Sequence, residues 1–323
     1  MSALLDVSDL AVTFRTRHGA VHAVDGVSFA VGRGEVLGLV GESGSGKSVS
    51  LRAITRLLPD IAVVSGRVSW QGEDVLAMPT ERLRRMRGGQ IGMVFQEPMS
   101  ALNPVLPIGL QISESLVAHS DLDAAGRRHR ALELLDLVGI AAGATRLEQF
   151  PHEFSGGMRQ RAMIAIALAA NPALLLADEP TTALDVTIQD QILRLLRGLV
   201  DDLGMGMILV THDLGVIAET CDRVAVMYAG RLCESGPVAD VFARPRHAYM
   251  AALLRAMPGE GAVGEKLLSI PGQAPRLDAP APGCAFAPRC AMVRPECATV
   301  RPPLRPMGPG RASACHAAEA LAA

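Results

Sequence analysis

The stretch that decides the fold of this chain is residues 35–48, EVLGLVGESGSGKS. Its first part is an apolar run that predicts a buried strand, and its second part is a loop rich in glycine. Glycines let a backbone curl so that its N–H groups surround a phosphate. The loop fits the pattern Gly-x4-Gly-Lys-Ser in full, and a helix is predicted from Ser48 onward. Strand, glycine-rich loop and helix in this order predict a phosphate-binding P-loop.

The P-loop predicts a bound nucleotide, ATP, together with Mg²⁺. Lys47 is expected to reach the β- and γ-phosphates, and the Ser48 hydroxyl is expected to bind Mg²⁺. The residues expected to bind the nucleotide in this loop are Gly41, Ser43, Gly44, Ser45, Gly46, Lys47, Ser48 and Val49.

An apolar strand that ends in two acids, residues 174–179 (LLLADE), supplies the second half of this chemistry. Asp178 is placed to hold Mg²⁺, and Glu179 is placed to orient and partly deprotonate an attacking water. An Asp-Glu pair after a strand is by itself usually a polar strand end. Together with a P-loop, it predicts hydrolysis of ATP.

A second candidate anion site lies at residues 154–161, FSGGMRQR. Ser155, followed by Gly156 and Gly157 at the start of a predicted helix, presents backbone N–H groups to an anion. Two phosphate motifs in one chain suggest a nucleotide that is clamped between two copies of the chain, or between the chain and a close relative.

The composition favours a protein with a packed core and gives no reason to expect nucleic acid as its main partner. Of the 323 residues 49% are apolar and 20% are charged, and the net charge of −2 gives no electrostatic case for nucleic acid. No apolar stretch is long enough to span a bilayer, and the N-terminus has no signal-peptide pattern. We therefore expect a protein of the cytosol, where thiols stay reduced.

The order of predicted elements indicates a largely parallel sheet. Strands are predicted at 174–177, 207–210 and 224–228, and a helix at 186–203 separates the first two. Short strands are predicted within residues 3–40, and a largely helical region is predicted from about 82 to 170. Ten prolines then fall between Pro271 and Pro309. Such a segment buries too little apolar area to order itself, so it is either disordered or stapled.

Three further motifs complete a family pattern: MVFQEPMSALNP (93–104) with Gln96, ALD (183–185) and THD (211–213). With the motifs above, they resemble the ABC ATPases in order and spacing over about residues 5–250. The resemblance implies an α/β P-loop NTPase fold with a RecA-like core, an antiparallel β subdomain and a helical subdomain. The implied division is 1–97 with 171–245 for the nucleotide-binding core and β subdomain, 98–170 for the helical (signature) subdomain, and 246–323 for a C-terminal extension that contains cysteines.

The same resemblance implies roles for single residues. Gln96 would lie near Mg²⁺ and the attacking water, and the loop after it would contact membrane subunits. His212 would contact the γ-phosphate. Asp185 would lie in a loop that crosses to a partner subunit, and the turn at Ser155 would close over the partner's ATP. An aromatic stacked on adenine would be Phe14 or His18, although Phe14 fits a core position on a strand equally well.

Within these ATPases, four phrases are similar to the ATP-binding subunits of dipeptide/oligopeptide importers: residues 151–161, 178–185, 270–275 and 282–290. This implies an ATPase that powers peptide import from the cytoplasmic face of the inner membrane. The implied partners are two transmembrane permease subunits, a second and paralogous ATPase and, indirectly, an extracytoplasmic solute-binding protein. Nickel or another solute stays open, as does a soluble ABC ATPase that is not coupled to transport, or a module for metal or redox sensing.

Four of the six cysteines lie in the extension, at Cys284, Cys290, Cys297 and Cys315. Four thiolates can hold zinc or an iron–sulfur cluster, but this spacing fits neither a zinc ribbon nor the bacterial ferredoxin run. Free thiols are the third alternative, and His316 is an alternative ligand. Similarity to the peptide-importer subunits favours a 4Fe–4S cluster. The other two, Cys221 and Cys233, are predicted to be small core residues.

Overall fold

The computed structural model of the chain describes residues 3–182, 184–257 and 269–322. They fall into two compact units of mixed α/β structure. The first unit contains Ala77–Val210, with Val31–Val36 and the residues up to Leu4. The second unit contains Leu5–Ala30, Leu37–Leu76 and the residues from Thr211 onward.

The secondary structure alternates between strands and helices along most of the chain. The strands are β1 (Leu5–Thr16), β2 (Gly19–Val31), β3 (Val36–Val40), β4 (Ala62–Trp70), β5 (Glu73–Asp74), β6 (Ile91–Val94), β7 (Leu174–Asp178), β8 (Gly206–Thr211), β9 (Arg223–Tyr228), β10 (Arg231–Pro237), β11 (Arg305–Pro306) and β12 (Ala312–Ser313). The α-helices are α1 (Lys47–Ile54), α2 (Thr80–Met86), α3 (Pro98–Ala101), α4 (Ile108–His119), α5 (Ala124–Leu137), α6 (Gly143–Arg146), α7 (Gly156–Leu168), α8 (Val186–Leu203), α9 (Leu214–Thr220), α10 (Val238–Ala243) and α11 (Ala248–Ala256). None of these described helices is long and apolar enough to cross a membrane.

The first unit contains the parallel strands β6, β7 and β8, in that order. All five residues of β7 are buried, as expected for a parallel strand that is covered on both faces. The predicted helix between β7 and β8 is confirmed as α8, and it is amphipathic. Its buried residues recur at helical spacing and are Ile192, Leu193, Leu196, Leu199 and Val200.

Between β6 and β7 the chain is helical, which confirms the helical region expected there. The core of this part is formed by apolar side chains of α4, α5 and α7. They include Ile108, Ile112, Leu116, Leu134, Leu135, Met163, Ile164 and Leu168, each at most 3% exposed.

In the second unit an antiparallel sheet has the order β2-β1-β4-β5. The prediction of short strands in this region was wrong, because β1 has 12 residues and β2 has 13. In β1 a bulge explains the error. The register of β1 against β4 shifts between Ser8 and Ala11, and Asp9 has a φ of 49°. The bulge breaks the alternation of apolar and polar residues, so that one long strand looks like fragments.

The strand before the P-loop, β3, is parallel to β9 within the same unit. Antiparallel neighbours β10, β12 and β11 follow β9 in that order. At the end of β9 an aromatic cluster closes this part of the core. The ring centroids of Tyr228 and Tyr249 are 4.6 Å apart, and the ring of Phe286 lies 5.3 Å from each of them.

The proline-rich extension is stapled rather than disordered over residues 269–322. Its backbone contacts β2, where the His22 N–H donates to the Leu277 carbonyl at 2.7 Å. The Arg311 guanidinium donates to the buried Glu234 carboxylate at 2.8 Å, and Arg301 pairs with Asp25 at 3.3 Å. Residues 258–268, where the change in composition begins, lie outside the described part of the chain.

Candidate nucleotide site

The P-loop adopts a backbone shape that only glycine fits at two positions. Gly41 has a φ of 156°, and a Cβ atom there would lie 2.1 Å from the Met227 carbonyl oxygen. Gly46 has a φ of 98°, and a Cβ atom there would lie 2.4 Å from the Ala23 carbonyl oxygen. Such close approaches exclude any side chain. The loop is therefore packed directly against the backbone of its own unit, and α1 begins at Lys47.

The Lys47 ammonium lies inside the loop. The residue is 5% exposed, and its Nζ atom donates to the carbonyl oxygens of Gly41 at 2.8 Å and Glu42 at 3.0 Å. The neighbouring residue Ser48 is half-buried in the first turn of α1. The structure thus brings the two residues with the sharpest predicted roles to the start of one helix, where the helix dipole favours an anion.

Two residues that the sequence did not single out also hold this loop. The Glu42 N–H donates to the phenol oxygen of Tyr249 at 2.9 Å. The Glu42 carboxylate accepts from Arg289 at 2.8 Å. Both partners lie more than 200 residues further along the chain, and no local sequence signal connects them with the P-loop.

In the first unit, Asp178 and Glu179 follow each other at the end of β7. Asp178 is 1% exposed, and Glu179 has a left-handed backbone with a φ of 46°. A non-glycine residue in this region is strained, and such strain is concentrated at functional sites. The Glu179 carboxylate accepts from the Thr182 hydroxyl at 2.8 Å and from Gln96 Nε2 at 3.3 Å. The structure therefore brings Gln96 and Glu179 together.

The Ser155-Gly156-Gly157 turn begins α7, as the sequence predicted. Ser155 is the N-cap residue, and its hydroxyl accepts the Met158 N–H at 3.3 Å. A Cβ atom at Gly157 would lie 2.8 Å from Cγ2 of Ile188 in α8. Ser155 and Gly156 are exposed. Asp185 is the N-cap of α8, and its carboxylate accepts the Ile188 N–H at 3.0 Å.

The second unit contains the remaining predicted site residues. His212 is exposed at the end of β8, immediately before Asp213, whose carboxylate caps α9. Phe14 is half-buried on β1 opposite Ala62, and His18 is exposed in the turn between β1 and β2. The choice between Phe14 and His18 as the adenine contact stays open.

The cysteines of the extension affect one another's pKa values, and their sulfurs accept hydrogen bonds from the backbone. Burial raises the pKa values of Cys284 and Cys290, and the neighbouring thiols act in the same direction. The sulfurs of Cys290, Cys297 and Cys315 each accept a backbone N–H at 3.4 Å. Over residues 3–182, 184–257 and 269–322, however, no three or more Cys, His, Asp or Glu side chains are grouped as metal ligands. The iron–sulfur cluster is therefore not supported by the arrangement of the side chains.

The structure also describes the other two cysteines and the alternative ligand His316. Cys221 and Cys233 are buried, as predicted, with 9% and 6% exposure. Burial, together with nearby Cys284 and Cys315, raises the pKa of Cys233 well above its usual value. The His316 ring nitrogen Nε2 lies 2.9 Å from the Val300 carbonyl oxygen, so this histidine has a backbone partner.

Comparison with known proteins first defines the class. The family model described as "ABC transporter" matches residues 24–182, and the model described as "Oligopeptide/dipeptide transporter, C-terminal region" matches residues 233–297. A dimeric ATP-binding cassette bound to ADP and Pi, in a post-hydrolysis state, is similar with a TM-score of 0.65 and 29% identity over 72% of this chain and 98% of that one. The fold and the P-loop are those of an ATP-binding cassette, which hydrolyses ATP.

The relatives narrow the class further. A putative peptide import ATP-binding protein of Brucella abortus is 50% identical over 97% of this chain and 94% of its own length. The oligopeptide transport ATP-binding protein OppD of Bacillus subtilis is 50% identical over 90% of this chain and 82% of its own length. The chain therefore belongs to the peptide-import group of ATP-binding proteins in the ABC transporter family.

Proposed function

We propose that this chain is the ATP-hydrolysing subunit that powers import of peptides through an ABC transporter. The observation that carries the hydrolytic part is the Glu179 carboxylate, which the Thr182 hydroxyl and the Gln96 amide orient at the end of a buried strand. The peptide part is supported by the 50% identity with peptide import proteins over almost the whole chain.

In this proposal the P-loop N–H groups and Lys47 bind the phosphates of ATP. Ser48, Gln96 and Asp178 would hold Mg²⁺, because hydroxyl, amide and carboxylate oxygens are ligand types that this cation accepts. When bound, the ion offsets negative charge on the phosphates. Glu179 orients the attacking water and accepts its proton.

The remaining predicted residues complete the proposal. His212 would contact the γ-phosphate, and Phe14 or His18 would stack on adenine. Ser155, Gly156 and Gly157 would close over the ATP of the partner subunit, since they lie at the start of a helix whose first turn attracts an anion, and Ser155 and Gly156 are exposed. Asp185 would lie in the loop that crosses to that partner. Closure around ATP would then drive the permeases, and hydrolysis would reset the pair.

The test of the hydrolytic role is Glu179→Gln. Glutamine keeps the size of the side chain but cannot accept the proton, so we expect ATP binding to be retained and turnover to fall by about 10²- to 10⁴-fold. We also expect a closed dimer to accumulate with ATP, measured by size-exclusion chromatography beside the hydrolysis assay. Glu219→Gln, an exposed position on α9, serves as the matched control. Normal turnover in Glu179→Gln would exclude this role for Glu179.

The proposed partners are two permease subunits, a second and paralogous ATPase, and an extracytoplasmic solute-binding protein. The chain would work at the cytoplasmic face of the inner membrane. The exposed apolar residues after Gln96, Met99 (52% exposed) and Val105 (74%), favour a protein contact there. The division into residues 1–97 with 171–245, 98–170 and 246–323 belongs to the same proposal.

Transport measurements separate the alternatives. We expect the chain to copurify with its permeases, and the reconstituted complex to take up labelled di- or oligopeptides in an ATP-dependent manner. Uptake of nickel instead would change the solute but keep the ATPase role. Purification without any membrane subunit would favour an ABC ATPase that is not coupled to transport.

We further propose that Cys284, Cys290, Cys297 and Cys315 hold a 4Fe–4S cluster. Four thiols, three of which accept a backbone N–H on their sulfur, suit such a cluster chemically. We expect visible absorption with iron and acid-labile sulfide in protein purified without oxygen. Cys290→Ser should lose the iron, whereas Cys221→Ser, at a buried thiol outside the extension, should keep it. Zinc without colour, or no metal, would contradict the cluster.

A further inference from the structure

A single arginine of the extension contacts the P-loop. Arg289 ends the short 3-10 turn Ala287–Arg289, directly before Cys290. Its side chain is 7% exposed, and its Nη1 atom lies 2.8 Å from the carboxylate of Glu42, the second residue of the P-loop. All of these residues belong to the second unit. The extension is thus in direct contact with the nucleotide-binding loop.

Residues of the extension and of β9 hold Arg289 from several sides. Its Nε atom donates to the Pro271 carbonyl at 2.9 Å, and Nη2 donates to the Ile270 carbonyl at 3.3 Å. The guanidinium also lies 5.7 Å from the ring centroid of Tyr228. The hydrogen bond to Glu42 raises the pKa of Arg289, so this side chain stays charged. Because all three of its nitrogens are hydrogen-bonded, the planar guanidinium is held in one orientation.

Glu42 transmits this contact to the phosphate-binding residues. Its carboxylate faces Arg289, its N–H donates to the Tyr249 phenol, and its carbonyl accepts from Lys47 Nζ. Glu42 is therefore hydrogen-bonded through its carboxylate, its N–H and its carbonyl to residues of three different elements. A shift of Glu42 would move the carbonyl that Lys47 contacts and the backbone that curls around the phosphate.

We propose that Arg289 is a positioning residue for ATP: through its ion pair with Glu42, the C-terminal extension holds the P-loop in its phosphate-binding shape. The other charged anchors of the extension differ in this respect. Arg301 ends on Asp25 in β2, and Arg311 ends on Glu234 in β10. They attach the extension without contacting the loop. Because the P-loop is already in its phosphate-binding shape, ATP binding does not have to supply the free energy of ordering it.

The experiment measures binding of the fluorescent analogue mant-ATP to the full chain. We expect Arg289→Ala to raise the Kd roughly tenfold, since a hydrogen bond between charged groups is lost. Arg289→Lys should recover part of the affinity, because it keeps the charge but not the planar fork. Arg301→Ala removes a different arginine anchor of the same extension, and we expect its Kd to stay within about twofold of the unmodified chain.

A double-mutant cycle with Glu42→Gln makes the test independent of folding. Glu42→Gln leaves the contacts of Arg289 with Ile270 and Pro271 in place, so it weakens ATP binding without releasing the extension. If the pair acts as one unit, the double variant Arg289→Ala/Glu42→Gln should bind mant-ATP about as weakly as either single variant. In the assembled transporter the KM for ATP should rise, with kcat changed by less than about twofold.

Three results would overturn the proposal: an unchanged Kd in Arg289→Ala and Glu42→Gln, an equal loss in Arg301→Ala, or additive effects in the cycle. The proposal rests on ATP binding by this P-loop, not on the solute. It fails separately from the proposed function, because Glu179→Gln should lose turnover with affinity retained, whereas the Arg289 and Glu42 variants should lose affinity with turnover at saturation retained.

Discussion

At the scale of single residues, His247 is a buried histidine that must stay neutral. It is 2% exposed, and its Nδ1 atom accepts the Tyr249 N–H at 3.0 Å as the N-cap of α11. Burial lowers its pKa to about 4, against a smaller opposite effect of a backbone hydrogen bond with Ala314. A proton on this ring would place a charge in the core of the second unit, and burial disfavours that charge.

This environment predicts a loss of stability in mild acid. The unfolded histidine binds a proton near pH 6.5 but the folded one only near pH 4, so its contribution is complete above about pH 6.5 and is lost as the pH falls towards 4. The loss for this residue is on the order of 3 kcal/mol. Urea unfolding at several pH values measures it.

The matched variant is His247→Asn, because asparagine also caps a helix but does not titrate in this range. Its free energy of unfolding should fall less between pH 7 and pH 4.5, about the range in which the histidine titrates. His18→Asn, at an exposed position, should follow the unmodified chain. Equal losses in His247→Asn and the unmodified chain would contradict the prediction.

At the scale of elements, α8 shows how one residue can serve both stability and function. Its N-cap is Asp185, which is also the residue proposed to contact the partner subunit. The helix ends at Leu203, and the C-cap residue Gly204 has a φ of 61°, the left-handed conformation typical of this position. The sequence motif therefore has a structural reason to contain aspartate even without a partner.

Substitution of Asp185 should separate the two roles. Asp185→Ala should lower the free energy of unfolding by about 1 kcal/mol, because the Ile188 N–H loses its acceptor. Asp185→Asn should keep the cap and most of that stability. Asp123→Ala removes a matched cap from α5, where the carboxylate accepts the Gly126 N–H at 2.7 Å.

Chemical unfolding gives the stability of the three variants, and ATP hydrolysis by the assembled transporter gives the function. A loss of turnover in both Asp185 variants, but not in Asp123→Ala, would assign the functional effect to the aspartate itself. An unchanged free energy of unfolding in Asp185→Ala would contradict its role as a cap.

Some of these elements could be predicted from the sequence and others could not. β7 and α8 were predictable because the apolar run 174–177 and a 3.6-residue period are local signals. The P-loop was predictable because its backbone conformation requires glycine at fixed positions of a short motif. The long strand β1 was not, since the bulge at Asp9 interrupts its alternation of burial.

At the scale of the whole molecule, the extension was the least predictable part. Its prolines and cysteines have no period, so its composition left disorder and stapling equally open. The structure resolves the choice for residues 269–322 through charged pairs such as Arg311–Glu234 and Arg289–Glu42. Neither pair has a local sequence signal, because their members are 77 and 247 residues apart. Similarity to a family could point to these segments but not to the contacts that join them.

The distance between Glu42 and its partners has a consequence for synthesis of the chain. Glu42 emerges from the ribosome before both partners: Tyr249 follows 207 residues later and Arg289 follows 247 residues later. At about 5–20 residues per second, the interval before Arg289 is made is roughly 10–50 s. During this time the nascent P-loop lacks the side chains that hold Glu42. The nucleotide site is therefore completed only after this interval, although its central motif has already been made.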